Sequence, residues 1–147
     1  MQIEIKAVGY TYQSPTLSSI ALENIDFSVE KGDFVAIVGP SGSGKSTLAM
    51  LLAGLYTPTV GEVLLNGEPA KKNSVFSGVG IVFQYPEQQL FGETVFEEIA
   101  FSAKNRGISG QELEEAVFDA LGVVGLPLDF AQRSPFGLSG GEKRRVA

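Results

Sequence analysis

The sequence predicts an α/β fold, and three observations carry the prediction. An apolar run, Phe34-Val35-Ala36-Ile37-Val38, reads as a buried strand and leads through a Gly/Ser-rich stretch into a helical pattern from Thr47 to about Tyr56. The residues ahead of that run alternate apolar and polar, as strands with one covered face do. Beyond Gln84 the apolar spacing becomes that of helices. A chain of 147 residues, 44% apolar and with net charge −6, can bury a real core.

Taken in order, residues 3–12 form a first strand with Ile3, Ile5 and Ala7 on one face and Glu4 and Lys6 on the other. Residues 13–19, polar and containing Pro15, read as a loop. Residues 21–30 form a second strand with Ile25, Phe27 and Val29 together, and Lys31-Gly32-Asp33 turns the chain. Thr57-Pro58-Thr59 stops the central helix. Glu62-Val63-Leu64-Leu65 followed by Asn66-Gly67 predicts a strand and a tight turn. Val79-Gly80-Ile81-Val82-Phe83 is another apolar strand, ending at Gln84. Thr94-x-x-Glu97 is a capping box opening a helix to about Lys104, and Ser109-x-x-Glu112 is a second one. Leu113, Ala116, Val117, Ala120, Leu121 and Val124 form an apolar stripe on that last helix, which Gly122 and Gly125 weaken or end. Residues 132–137 read as loop.

Several classes are excluded or disfavoured. No apolar run is long enough to span a bilayer and no signal-peptide pattern opens the chain, which makes the cytoplasm the default compartment. Without Cys there is no disulfide framework, and without His the commonest general base is missing. The acidic balance argues against nucleic acid as the main partner.

Gly39-Pro40-Ser41-Gly42-Ser43-Gly44-Lys45-Ser46 reads G-x-x-x-x-G-K-S, a phosphate-binding P-loop, with the required strand before it and helix after it. A triphosphate needs many donors that do not block its approach. Gly39, Gly42 and Gly44 leave no Cβ in the way, and amides from about Gly42 to Thr47, at a helix start, can face the anion. Lys45 is placed for the β- and γ-phosphates and the Ser46 hydroxyl for Mg²⁺. A Gly/Ser turn matching by accident is the alternative, and it leaves the flanking pattern unexplained.

Leu138-Ser139-Gly140-Gly141-Glu142, with Arg145 beyond it, follows about a hundred residues later. A P-loop with L-S-G-G-x-x-x-R at that distance resembles the ATP-binding cassette (ABC) ATPases, with Glu142 where their signature usually has Gln. The resemblance implies that Ser139 and the Gly140 and Gly141 amides meet the ATP held by a second ATPase subunit, identical or not. It implies that Gln84 is the Q-loop residue contacting Mg²⁺ or the attacking water, and that the ring of Tyr12 stacks on adenine with its hydroxyl dispensable. Tyr10 is the second choice for that stacking.

Val82-Phe83-Gln84-Tyr85-Pro86-Glu87-Gln88-Gln89-Leu90-Phe91, then Thr94-Val95, Glu98-Ile99-Ala100-Phe101 and Asn105, narrows the likeness. So do Arg133-Ser134-Pro135-Phe136 and Lys143-Arg144-Arg145-Val146-Ala147. Together they resemble the ATPases of energy-coupling factor (ECF) importers, although Tyr85 and Gly137 depart from that group's usual residues. This implies a peripheral protein on the cytoplasmic face of the membrane that uses ATP and Mg²⁺ and binds a transmembrane coupling subunit. The expected divisions are an antiparallel β portion (1–32), a P-loop core (33–90) and a helical signature subdomain (91–147). The family's metal-holding Asp, catalytic Glu and switch His have no match here, so the chain is expected to be part of a longer cassette and inactive by itself. Two other readings stand beside this one: a non-catalytic nucleotide-binding module, and a soluble ABC ATPase unconnected with transport.

Overall fold

The computed structural model describes residues 2–70, 76 and 78–147. They fall into two compact units, Met1–Ile81 and Val82–Ala147.

The first unit holds an antiparallel sheet and one helix. β1 (Ile3–Gln13), β2 (Ser18–Val29), β3 (Val60–Leu65) and β4 (Glu68–Pro69) lie in the order β2-β1-β3-β4. β1 and β2 extend further toward each other than the sequence implies, leaving a short hairpin loop closed by the Ser14 N–H on the Leu17 carbonyl at 2.9 Å. β3 and β4 meet through Asn66 and Gly67, both at positive φ (52° and 83°), as the tight-turn dipeptide predicts. Helix α1 (Lys45–Leu52) packs Leu48 and Leu51 into a core with Ile5, Val8, Leu22, Val63 and Phe76.

The expected alternation in β1 breaks at Ala7. This residue has φ 48° and is exposed, and Val8 is buried in its place. A bulge shifts the register against both β2 and β3 there, and the Asp26 carboxylate accepts the freed Ala7 N–H at 2.7 Å. The central helix also ends sooner than expected. Gly54 takes φ 74° beyond the C-cap Ala53, with Gly54 N–H on Leu51 O (3.1 Å) and Leu55 N–H on Met50 O (2.9 Å). That is a glycine-terminated Schellman end, reached before Pro58 can act.

Two expected strands do not form. Residues 34–38 lie outside the sheet, with Phe34 fully exposed and Val38 88% exposed. Residues 79–83 are likewise not in a strand. Both runs have the composition of strands covered on both faces. A strand also needs a neighbour to complete its ladder, and no described strand pairs with either run.

The second unit is helical: α2 (Val95–Asn105), α3 (Gly110–Val123) and α4 (Gly140–Val146), with 3-10 turns at Pro86–Gln88, Leu128–Gln132 and Pro135–Gly137. The expected loop at 132–137 is thus largely 3-10 turn. Leu113, Val117 and Leu121 of the α3 stripe are buried, with Ala116, Ala120 and Val124 at its half-buried margin. Thr94 caps α2 by accepting the Glu97 N–H at 3.2 Å, but the Glu97 carboxylate turns to the Glu93 N–H, so only half of the expected box forms. Ser109 makes no side-chain cap. Gly110, the first residue of α3, has φ 63°, and the chain does not enter the helix along the path such a cap needs. Both α2 and α3 end in Schellman motifs on Gly107 (φ 83°) and Gly125 (φ 66°).

Candidate functional site

In the first unit the P-loop wraps the start of α1. The N-cap Gly44 has φ 86°, and a Cβ there would lie 2.6 Å from the Ala21 carbonyl oxygen and 2.8 Å from Leu22 Cδ2. A Cβ on Gly39 would lie 2.8 Å from Ser43 Oγ, and Gly42 has φ 81°. Gly42 and Gly44 are therefore required by backbone conformation, Gly44 by close approach as well, whereas a Cβ on Gly39 meets a hydroxyl that can rotate away. The Lys45 ammonium lies over the loop, donating to the carbonyls of Gly39 (3.0 Å) and Pro40 (2.7 Å) and to Ser43 Oγ (3.3 Å). Pro40 O also accepts the Ser43 N–H at 3.3 Å. Ser41 and Ser46 are exposed, Ser46 in the first turn of α1. The N–H groups of a first turn have no acceptor within their own helix. Chemically this is a cradle of amides with one ammonium, suited to a polyanion.

Tyr12 is brought to this helix. Its hydroxyl is 3.0 Å from Oγ1 of the buried Thr47, and the residue as a whole is 42% exposed. Tyr12 meets Tyr10 and Tyr56 edge to face, and Tyr10 and Tyr56 stack at 5.1 Å. The Tyr56 phenol is pushed above its ordinary pKa, first by hydrogen bonding with Tyr12, then by the nearby Tyr12 charge, burial and Tyr10. With one face of its ring against Tyr56, Tyr10 is the poorer stacking platform.

In the second unit Gln84 is exposed, its amide nitrogen 3.5 Å from the Tyr85 hydroxyl. Leu138 precedes the N-cap Ser139 of α4, where Glu142 completes a reciprocal capping box. Ser139 Oγ accepts the Glu142 N–H (3.4 Å), and a Glu142 carboxylate oxygen accepts the Ser139 N–H (2.8 Å) and hydroxyl (2.7 Å). The Ser139 hydroxyl and then its N–H hold the Glu142 carboxyl below its ordinary pKa. Gly140 and Gly141 are exposed in the first turn. Behind them Arg144 pairs with Glu87.

The family model described as "ABC transporter" matches residues 22–147. The chain belongs to the ABC transporter family. Among curated relatives of this family, the ECF transporter ATP-binding protein EcfA2 of Caldanaerobacter subterraneus subsp. tengcongensis is 44% identical over all of this chain and 54% of its own length. The EcfA2 of Symbiobacterium thermophilum is 46% identical over all of this chain and 53% of its own. The chain thus spans about half the length of the curated relatives it matches. A dimeric post-hydrolysis ATP-binding cassette, MJ0796 bound to ADP and Pi, superposes with TM-score 0.81 at 30% identity, covering 98% of this chain and 66% of that one. The cbiO1 cassette of Clostridium perfringens, part of the ABC transporter complex cbiONQ, gives 0.79 at 29% identity, covering 98% and 58%. The fold is the α/β fold of ABC cassettes.

Against this family background, the sequence did not reveal two contacts. The Tyr12–Thr47 bond has no sequence spacing that signals it, because the partners lie on a strand and a helix 35 residues apart. Glu87 and Arg144 were visible only as members of family-like stretches. The capping box at Ser139 was not read from the sequence either, although S-x-x-E at a helix start is its pattern and Glu142 supplies it.

Proposed function

We propose that this chain is the nucleotide-binding part of an ATP-hydrolysing subunit of a membrane ABC importer of the ECF type. The observation that carries this is the P-loop cradle at the start of α1, with Lys45 across it, in a chain whose relatives are named as ECF transporter ATPases. Lys45 and the amides of residues 42–47 bind the β- and γ-phosphates, and the Tyr12 ring stacks on adenine. Ser139, Gly140 and Gly141 serve the ATP of a second ATPase subunit. A transmembrane coupling subunit is the other partner, and the chain acts at the cytoplasmic face of the membrane. No helix among the described residues is long and apolar enough to cross a membrane, which fits a peripheral subunit. The MJ0796 cassette is described as a dimer with ADP and Pi, which supports closure of two subunits around nucleotide.

Water attacks the γ-phosphorus as the β–γ bridging bond breaks, so charge builds on the bridging oxygen. Lys45 and the loop amides stabilise that charge, and Gln84 orients the water. The exposed Ser46 hydroxyl and the Gln84 amide oxygen are hard donors of the kind Mg²⁺ takes. Mg²⁺, when bound, supplies further charge neutralisation on the phosphate oxygens. Reconstitution of the protein carrying this chain with its partner subunits in vesicles is expected to give ATP hydrolysis coupled to solute uptake. Hydrolysis without any uptake would move the protein to the soluble ABC ATPases.

The 147 residues alone are expected to bind nucleotide without steady turnover. They contain no His, and nothing in their sequence matches the family's metal-holding Asp or catalytic Glu. Phosphate release from Mg-ATP that disappears with Lys45→Ala would contradict this.

Tyr12 separates two contributions. Tyr12→Ala is expected to weaken adenine nucleotides by about 1–3 kcal/mol through lost stacking. Tyr12→Phe keeps the ring and is expected to bind adenine nucleotides nearly as wild type, the lost bond to Thr47 costing about 0.5–1.5 kcal/mol of fold stability instead. Titration calorimetry with ATP and inorganic triphosphate reads the first effect and thermal unfolding the second. Equal loss for the two ligands in Tyr12→Ala would remove Tyr12 from adenine recognition.

A further inference from the structure

We infer that Arg144 and Glu87 are positioning residues that tie the signature turn to the segment carrying Gln84. This deepens the ATPase reading and rests on it. Three ion pairs occur among the described residues, and two of them join near neighbours in sequence, Lys6–Glu4 and Arg133–Asp129. Arg144–Glu87 alone spans a long separation, 57 residues.

Its geometry is two-pronged, Arg144 Nε to Glu87 Oε2 at 3.2 Å and Nη2 to Oε1 at 3.4 Å. Only a planar guanidinium can meet both carboxylate oxygens in this way. The Glu87 side chain is 21% exposed, which limits where its carboxylate can go. Each group favours the charged form of the other, Arg144 holding the Glu87 carboxyl below its ordinary range.

Both ends sit on defined backbone. Glu87 is the middle residue of the 3-10 turn Pro86–Gln88, three residues after Gln84, and the turn is closed by Gln88 N–H on Tyr85 O (3.1 Å) and Gln89 N–H on Pro86 O (3.0 Å). Arg144 is five residues after Ser139 on α4, a helix of seven residues that is marginal by itself. Other contacts fix α4 elsewhere: Glu142 closes its start, and Arg145 reaches the carbonyls of Val124 (3.4 Å) and Gly125 (3.3 Å) at the end of α3. Among the described residues, Arg144 is the α4 side chain hydrogen-bonded to the turn after Gln84. A shift of that turn is therefore passed to α4, and through it to Ser139, Gly140 and Gly141.

Glu87→Gln, Arg144→Gln and the double variant, made in the protein carrying this chain with its partner subunits, test the inference. Two quantities are read: amide hydrogen exchange of residues 138–142 without nucleotide, and kcat and KM for ATP. Each single variant is expected to speed exchange and lower kcat by about two- to five-fold with KM unchanged, the range an incompletely buried ion pair supports. The double variant is expected to match the singles, because each removes the same interaction. Multiplying losses, unchanged exchange at 138–142, or faster exchange without a fall in kcat would each overturn the tie. A wild-type protein that exchanges as expected but hydrolyses no ATP would overturn the ATPase reading instead, since exchange needs no turnover.

Discussion

Lys45→Ala in the protein carrying this chain is expected to reduce ATP hydrolysis at least about a hundredfold, the scale seen when one preorganised donor to a developing charge is lost. The ammonium is the only cation on the loop, and it donates to Gly39 O, Pro40 O and Ser43 Oγ. Alanine removes the charge that offsets the phosphates and also the tie that gathers the loop. ATP affinity is expected to fall as well, since the same charge acts in the ground state. Lys45→Arg restores the charge with a larger, planar head that does not suit a point contact on phosphate, so it recovers little activity. Steady-state phosphate release, with thermal unfolding to show that each variant folds, is the measurement. Wild-type turnover in Lys45→Ala would remove the P-loop from the chemistry.

Gly61→Ala is expected to have the largest effect on stability, a loss of at least about 3 kcal/mol from a left-handed non-glycine backbone combined with overpacking. Gly61 has φ 76°, and a Cβ would come within 2.3 Å of the Ala7 carbonyl oxygen and 2.4 Å of that of Lys6. Both obstacles are backbone of β1 at its bulge, so relief means moving the sheet. Gly67→Ala is the control: its φ is 83°, but nothing lies within 4 Å of the added Cβ. It carries only the conformational cost, about 1–2 kcal/mol. Urea unfolding of both variants beside wild type compares them. Equal losses would show that β1 yields at the bulge and that the close approach costs nothing.

Motifs whose residues act on their own backbone were legible. Gly42 and Gly44 sit where conformation demands glycine, and Asn66-Gly67 makes the turn its dipeptide favours. The α3 stripe was legible because helical period and burial have one cause. Strands at 34–38 and 79–83 were not correctly read, since an apolar run reports what could be buried and says nothing of a partner ladder. The end of α1 was misplaced because Pro58 is the louder signal, while Gly54 closes the helix first through its own hydrogen bonds. The Ala7 bulge was hidden because the carboxylate that accepts its freed N–H, that of Asp26, lies on another strand. Tyr12 was put forward by likeness, and its bond to Thr47 is visible only in the geometry.

The internal bonds of Lys45 bear on which anions the loop can select. Its ammonium already has three oxygen partners, so ligand capture is a substitution of acceptors, not the filling of a vacant well. A halide or other single charge offers too little to displace two carbonyls and a hydroxyl. A chain of phosphates offers several charged oxygens at once and can recruit the first-turn amides in the same event. Under the proposed nucleotide role, the loop is therefore expected to favour polyphosphates over anions of single charge.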